Sequence, residues 1–296
     1  MTEVITSPSN PKIKRLLALQ QKSSARREAG LFVVEGQREL QHCIDAGFTI
    51  DTIFVCPSLR GGQPLKTSDC VGPFPQTASA GPSLLRSRGW LRFSEAAAVS
   101  TTEQTKVFEV SEEVYAKISY REGTEGVIAE VKTPERKLED IVLPDNPLIV
   151  VLERVEKPGN LGAVLRSADA AGADAVLICD PLTDLWNPNL IRASIGAVFT
   201  VPCVACSSAD AIAFLKERDI RILTAQLQDS SLYYDCDMTG GTAIVMGTEA
   251  TGLTPVWREA ADAHIRIPML GRLDSLNVSV SAAILLFEAV RQRQNG

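Results

Sequence analysis

Histidine and aromatic residues are scarce in this sequence, and their scarcity limits the chemistry that it can support. The 296 residues include two histidines, His42 and His264, and aromatic side chains make up 5% of the chain. A histidine-rich metal centre is therefore not expected. A Ser-His-Asp hydrolase is disfavoured as well, because neither histidine lies beside a plausible nucleophile.

Long apolar runs are also missing. No stretch approaches the roughly 18 apolar residues of a transmembrane helix. The N-terminus, MTEVITSPSN, lacks the basic and then apolar pattern of a secretory signal. We therefore expect a cytoplasmic protein without a membrane partner. The composition, 45% hydrophobic and 22% charged, is typical of a globular chain and excludes a wholly disordered one.

The cysteines do not form a pattern typical of a metal site or a disulfide framework. Their number is odd, seven, and the one close pair is the C-x-x-C of Cys203 and Cys206. A structural zinc site would need two further ligands at a matching spacing, and the sequence offers none. We expect reduced, partly buried thiols and no bound metal.

Basic residues are not in excess either, since the formal net charge is −6 at pH 7. This charge argues against a protein that coats nucleic acid without specificity. One segment nevertheless contains no acidic residue, and a local basic face can bind RNA phosphates on an acidic protein. A solvated helix face is the alternative interpretation. The basic residues of this segment are Lys12, Lys14, Arg15, Lys22, Arg26 and Arg27.

Alternating strand-like and helix-like patterns predict an α/β protein with two domains. The first half begins with a helix over 11–28, a strand at 31–34, a helix over 36–46 and a strand at 50–56. Clustered glycine and proline predict a flexible insertion. The predicted organisation is a smaller N-terminal domain over 1–132 with its insertion at about 59–89, a linker over 133–147 and a C-terminal domain over 148–296.

The second half predicts a mostly parallel sheet with helices on both faces. Leu148–Leu152 is continuously apolar, as expected for a parallel strand that is covered on both sides. Sheets of this kind bind ligands in loops beyond the carboxyl ends of their strands. Further strands are predicted at 175–179, 198–204, 220–225, 242–246 and 264–267, with helices over 161–171, 208–218 and 277–293.

Three loops beyond predicted strands carry most of the polar residues of interest. The first leads from Asn160, a possible helix cap, to Arg166. The second places Glu249 between two glycines and therefore suits a neutral or cationic ligand better than a phosphate. The third runs from Ile267 into the entrance of the last helix. No Walker motif and no G-x-G-x-x-G fingerprint occurs, so a nucleotide-binding Rossmann enzyme is disfavoured.

These segments resemble the three motifs of the SpoU (TrmH-like) RNA 2′-O-ribose methyltransferases, in the SPOUT superfamily. The resemblance includes their order along the chain and their position between a predicted strand and a predicted helix. The resemblance covers about residues 146–294. The N-terminal part, with Pro8-Ser-Asn-Pro11 and Val33-Val34-Glu35-Gly36, is similar to the ribosomal-protein-like substrate-binding domain of this family, although the glycine- and proline-rich insertion departs from it. The resemblance implies a C-terminal trefoil knot, a homodimer and S-adenosylmethionine as the methyl donor.

The resemblance also implies which residues form the site. Those with catalytic roles are Asn160, Arg166, Glu249, Ser275 and Asn277. The cofactor contacts fall on Gly247, Ile267, Met269 and Leu276, mostly through backbone groups, with Leu227 as a weaker candidate. The family assigns Arg166 as the base that takes the hydroxyl proton. An arginine titrates near 12.5 or above, so neutralising it near pH 8 costs about 6 kcal/mol; a charged arginine that stabilises the developing alkoxide is the alternative.

The expected function is methylation of a ribose 2′-hydroxyl in structured RNA. Ribosomal RNA is favoured over transfer RNA because of the N-terminal domain, and a non-catalytic RNA-binding relative is the remaining alternative. The five catalytic candidates argue against that alternative, since all are present. An apolar spacing of Val280, Ile284 and Phe287 on the last helix predicts that this helix forms part of a dimer interface.

Overall fold

The computed structural model describes residues 3–60, 105–120, 125–248 and 251–295, and divides them into two compact units. The N-terminal unit contains the described residues up to 135 together with Trp186–Phe199. The C-terminal unit contains Arg136–Leu185 and the described residues from Thr200 onward. Beyond Arg60, the insertion expected at 59–89 lies outside the described residues.

The N-terminal unit is built on a mixed five-stranded sheet of order β1-β4-β3-β5-β2. Strand β5 runs antiparallel to β2 and β3, whereas β4 runs parallel to β1 and β3. Its elements are β1 (Glu3–Ile5), α1 (Pro11–Gln21), α2 (Ser23–Ala29), β2 (Leu31–Glu35), α3 (Gln37–Asp45), β3 (Ile50–Val55), β4 (Lys106–Val110), α4 (Glu112–Ile118) and β5 (Val127–Lys132).

The single helix expected over 11–28 is wrong, because the chain turns at Lys22. The side chain of Asn10 caps α1 by accepting from the Lys12 backbone N–H, and Lys22 has an extended backbone with φ −118°. Buried Arg26 donates from Nη1 to the carbonyl oxygens of Leu19 and Gln20, at 2.6 and 3.4 Å. These carbonyls have no partner within α1, so Arg26 stabilises the end of that helix.

The C-terminal unit contains a seven-stranded sheet in which every pair of neighbours is parallel, which confirms the α/β expectation. The strand order is β10-β12-β9-β11-β6-β7-β8. The elements from here on are β6 (Leu148–Glu153), α5 (Pro158–Ala171), β7 (Ala175–Cys179), α6 (Pro188–Ser194), α7 (Ala197–Thr200), β8 (Cys203–Cys206), α8 (Ser208–Lys216), β9 (Arg221–Ala225), β10 (Ser231–Leu232), β11 (Thr242–Met246), α9 (Pro255–Ala260), β12 (Ala263–Arg266) and α10 (Val278–Asn295). Of these, α6 and the first three residues of α7 belong to the N-terminal unit.

Every residue of β6, β7 and β11 is buried, as expected for central strands with helices on both faces. The core of this unit also includes Leu138 and Ile141, which the sequence assigned to a linker. From Arg136 onward, the 133–147 segment therefore belongs to the C-terminal unit. Within the described ranges, no helix is long and apolar enough to cross a membrane.

Two predicted boundaries are wrong in this half. Helix α5 begins at Pro158 with Lys157 as its N-cap, so Asn160 lies inside the first turn and does not cap it. The strand expected at 198–204 is reduced to Cys203–Cys206, because Ala197–Thr200 forms a short helix. A short apolar run fits a buried helix as well as a buried strand, and here its Phe199 ring packs 5.2 Å from that of Phe48.

A buried carboxylate in β5 depends on one arginine of α1. Glu130 is fully buried, and Arg15 donates to both of its oxygens while also lying 3.5 Å from the carboxylate of Asp51. Burial raises the pKa of Glu130 above its usual value, and the hydrogen bond and charge of Arg15 oppose this rise. The stability that Glu130 contributes is therefore lost as the pH rises through its folded pKa.

We predict that Arg15→Ala destabilises the N-terminal unit by about 2 kcal/mol at pH 7.5, because it leaves a buried carboxylate without its cation. The loss is smaller at pH 5, since a larger fraction of Glu130 is then protonated. Thermal unfolding at both pH values measures the effect. Lys14→Ala, at the exposed neighbouring position, is the control. An equal loss at the two pH values would contradict the prediction.

Candidate active site

The parallel sheet brings the predicted cofactor positions to one edge. Strands β12, β9, β11 and β6 are consecutive neighbours, with Ile265 paired to Ala225 and Met246 paired to Leu152. Leu227, Gly247 and Ile267 follow the ends of three of these strands. Because parallel strands end at the same edge, these residues leave the sheet side by side, where α/β proteins bind ligands.

The loop after β11 folds back on itself, and its glycines make this possible. The Gly252 backbone N–H donates to the Thr248 carbonyl at 3.0 Å, and the Thr248 N–H donates to the Gly252 carbonyl at 3.3 Å. A Cβ on Gly247 would lie 2.3 Å from the carbonyl carbon and oxygen of Gly252. Gly252 itself has φ +67°, which favours glycine. Glu249, between these two glycines, lies outside the described residues.

The segment from Ile267 to Leu276 offers exposed backbone groups. In the part of the chain that the structure describes, its residues make no backbone–backbone hydrogen bond. Ile267 and Met269 are half-buried, Leu270 is 98% exposed, and Leu276 is 39% exposed. Backbone N–H and carbonyl groups in this segment are therefore available to a ligand. Ser275 donates weakly to the neighbouring Asp274 carboxylate, at 3.4 Å.

One side-chain contact joins the first and third motif segments. The Asn277 Nδ2 group donates to Oδ1 of Asn160 at 3.1 Å. Asn277 is held in this orientation because its own Oδ1 accepts from the Ser279 backbone N–H and hydroxyl, at 3.0 and 2.6 Å. Two predicted catalytic residues, distant in sequence, are thus in direct contact at the starts of α5 and α10.

Arg166 lies on the exposed side of α5, after Asn160. Among the described residues, it makes no hydrogen bond and no ion pair, so the Asn160, Ser275 and Asn277 side chains do not hold it. Its guanidinium therefore keeps all five N–H donors available to a substrate.

Glu153, the last residue of β6, is a further polar residue at this edge that the three sequence motifs do not include. Its side chain is buried, at 2% exposure, and both carboxylate oxygens accept hydrogen bonds from Thr254. The signal in the sequence was a single acidic residue at the end of a continuously apolar strand. Such a residue needs polar partners, and Thr254 follows the Gly247–Leu253 loop directly.

The basic segment of the N-terminal unit is only partly available to RNA. Lys12 pairs with Glu3 at 2.8 Å and lies 4.4 Å from the centre of the Phe108 ring. Arg15 binds Glu130, and Arg26 is buried against α1. Among the described residues, the exposed basic residues whose side chains make no hydrogen bond or ion pair are Lys14, Lys22 and Arg27.

The described residues contain no group of three or more histidine, cysteine or acidic side chains that could hold a metal ion. The C-x-x-C pair does not converge on a common partner. Cys206 lies 3.9 Å from Cys179, sulfur to sulfur, whereas Cys203 is approached by the Arg136 guanidinium at 3.5 Å.

Comparison with known families matches both halves of the chain. The SpoU rRNA Methylase family matches residues 147–287, and the MRM3-like substrate binding domain matches residues 10–129. The chain is 40% identical over 176 residues to the Escherichia coli K12 protein named 23S rRNA (guanosine-2′-O-)-methyltransferase RlmB. That match covers 57% of this chain and 72% of the relative.

Solved structures extend the likeness to nearly the whole chain. A crystal structure of an RNA 2′-O ribose methyltransferase is 37% identical with a TM-score of 0.73, covering 98% of this chain and 99% of that one. The AdoMet-bound rRNA methyltransferase from Sinorhizobium meliloti is 28% identical with a TM-score of 0.79, covering 98% of both chains. Because the SpoU rRNA Methylase model matches residues 147–287 and the chain covers 72% of a relative that is 40% identical to it, the chain belongs to the SpoU rRNA methylase family.

Proposed function

We propose that this protein transfers a methyl group from S-adenosylmethionine to a ribose 2′-hydroxyl of ribosomal RNA. The observation that carries the proposal is the contact between Asn160 and Asn277, which joins the first and third motif segments. The second segment leaves the same edge of the sheet, after β11. The family, whose printed name refers to ribosomal RNA, and the likeness to RlmB support this substrate class.

The residues present fit S-adenosylmethionine. Leu227, Ile267, Met269 and Leu276 provide apolar surface, and the backbone groups of residues 267–276 can hydrogen-bond an adenosine. The Sinorhizobium meliloti neighbour is solved with AdoMet bound. When bound, S-adenosylmethionine supplies an electrophilic methyl group on a sulfonium. Family membership also implies the C-terminal trefoil knot.

Arg166 is the residue that acts on the 2′-hydroxyl. Its exposed guanidinium can donate hydrogen bonds to the oxygen as negative charge develops there. We assign it this charge-stabilising role, because the guanidinium is exposed to water and only strong desolvation would favour a neutral arginine. Asn160 and Asn277 orient the ribose, and transfer is accelerated mainly by holding the hydroxyl in line with the methyl group.

Arg166→Ala is expected to abolish methyl transfer, by about a thousandfold in kcat, because it removes a donor to the developing oxyanion. Arg166→Lys keeps the charge but loses the planar fork, so it restores only part of the rate. Single-turnover methylation from pH 7 to 10 is the measurement. If Arg166 were a base, the lysine variant would gain activity steeply at high pH; a charge-stabilising role predicts no such gain. Cofactor affinity and melting temperature should stay unchanged in both variants.

The exposed basic residues of the N-terminal unit bind RNA phosphates. We expect the double variant Lys22→Ala/Arg27→Ala to weaken RNA binding and to flatten the dependence of log K on log salt by roughly 0.7–0.9 per lost contact. Filter binding from low to high salt measures the slope. Arg26→Ala is the contrasting variant, since it should lower the melting temperature through the lost bond to Leu19. An unchanged salt slope would show that these side chains do not contact RNA and that the segment is a solvated helix face.

Methyl mapping on total RNA separates the substrate alternatives. Cells with and without the gene are compared, and a 2′-O-methyl on ribosomal RNA that disappears supports the proposal. Loss of a methyl group on transfer RNA instead would show that transfer RNA, and not ribosomal RNA, is the substrate. Absence of S-adenosylmethionine binding in calorimetry would favour a non-catalytic relative. We expect the enzyme to work in the cytoplasm, where bacterial ribosomal RNA is modified.

The protein acts as a homodimer through the outer face of α10. Val280 and Phe287 are 46% and 49% exposed, and Ile284 between them is half-buried. The spacing places all three on one side of the helix. A continuous apolar face of this kind is typical of an interface between proteins.

Sedimentation at micromolar concentration should give about twice the chain mass of 31.9 kDa. Phe287→Glu introduces a charge into the apolar face and should yield a monomer. Leu182→Glu changes a similarly exposed leucine, 54% accessible, in the segment between β7 and α6, and it should remain dimeric. A wild-type protein that is monomeric and fully active would contradict the proposal that it acts as a dimer.

A further inference from the structure

We propose that Glu153 is a positioning residue for methyl transfer, which fixes Thr254 and the Gly252–Leu253 backbone before it, and thereby sets the cofactor contact at Gly247. This inference rests on the proposed function. Glu153 contacts neither RNA nor cofactor in our assignment; it acts through the backbone that follows the loop.

The two residues are joined by a pair of hydrogen bonds in the interior of the C-terminal unit. The Thr254 backbone N–H donates to Oε2 of Glu153 at 2.8 Å, and the Thr254 hydroxyl donates to Oε1. Both oxygens of one buried carboxylate are thus used by a single residue. Since Met246 pairs with Leu152, Glu153 lies beside Gly247, where the loop begins.

The geometry at Thr254 indicates a role beyond capping a helix. Threonine at an N-cap normally accepts a hydrogen bond from its own helix. Thr254 is the N-cap of α9, yet its side chain makes no capping bond and binds Glu153 instead. Among the described residues, no lysine or arginine pairs with Glu153. Burying a carboxylate without a cation costs free energy unless hydrogen bonds replace the lost water. Here, the two bonds from Thr254 supply this compensation and at the same time hold the end of the loop.

Movement at Thr254 would be transmitted directly to Gly247. The loop is folded so tightly that Gly247 has no room for a Cβ against Gly252. Thr254, two residues after Gly252, is bound by Glu153. The same glutamate ends β6, the strand that precedes the first motif segment with Asn160 and its contact with Asn277. Glu153 therefore ties the second motif segment to the first, as the two asparagines tie the first to the third.

The test compares two buried carboxylates at opposite ends of β6. Asp174 is 7% exposed and accepts at 2.7 Å from the backbone N–H of Leu148, the first residue of the strand. Glu153→Ala and Asp174→Ala both remove a buried acceptor of a backbone N–H, but only the first lies at the motif edge. Calorimetric affinity for S-adenosylmethionine, KM, kcat and melting temperature are measured on the full chain.

Glu153→Ala should raise the dissociation constant and KM for S-adenosylmethionine by about tenfold or more, with a smaller change in kcat. Asp174→Ala should lower the melting temperature while leaving the affinity within about twofold. Glu153→Gln should recover most of the affinity, because its amide can accept from the Thr254 N–H and donate to the hydroxyl. Thr254→Ser should resemble the wild type, whereas Thr254→Val should lose affinity.

Wild-type affinity and KM in Glu153→Ala would overturn the inference. Equal losses of affinity in Glu153→Ala and Asp174→Ala would also overturn it, since they would reflect general stability. If Glu153→Ala does not fold, the comparison of Thr254→Ser with Thr254→Val decides, and equal affinities in that pair count against the inference. A wild-type protein that binds no S-adenosylmethionine would overturn the proposed function itself, and this inference with it.

Discussion

The pairing of β6 with β11 at the centre of the parallel sheet is the constraint on which the candidate site depends. Both strands are buried along their whole length, so their register is fixed by the core. This register also determines which residues are adjacent at the ends of the two strands. Because Met246 pairs with Leu152, Glu153 lies beside Gly247. The site is thus positioned by the hydrophobic core, and the polar residues only complete it.

The candidate site could be located from the sequence because parallel strands end at the same edge. The strand-like runs at Leu148–Leu152 and 242–246 were identified correctly, and the loops after them carry the motifs. The contact between Asn160 and Asn277 could not be predicted, because it depends on how α10 returns to pack against α5. The helix expected from residue 161 begins at Pro158 instead, because proline suits the first turn of a helix, and Asn160 therefore lies inside that turn.

Charge patterns were less informative than apolar patterns. The acid-free run suggested one continuous basic face, yet Arg15 and Arg26 are used within the protein. Sequence alone does not show that Glu130, far along the chain, lies beneath Arg15. Similarly, helix α7 was read as a strand because a short apolar segment carries no period of its own. In both cases, a contact from a distant part of the chain decided the outcome.

Trp186–Phe199 interrupts the C-terminal sequence but belongs to the N-terminal unit. The Trp186 ring stacks 4.6 Å from that of Phe32, and Phe199 packs edge-on against Phe48. Gly196 also belongs to this packing. A side chain there would collide with His42, because a Cβ would lie 2.9 Å from the His42 ring. A chain shortened to begin at Arg136 would lose these partners and expose an aromatic surface to water. A cut before Arg136 would therefore divide the N-terminal unit itself, because it would separate Trp186–Phe199 from the rest of that unit.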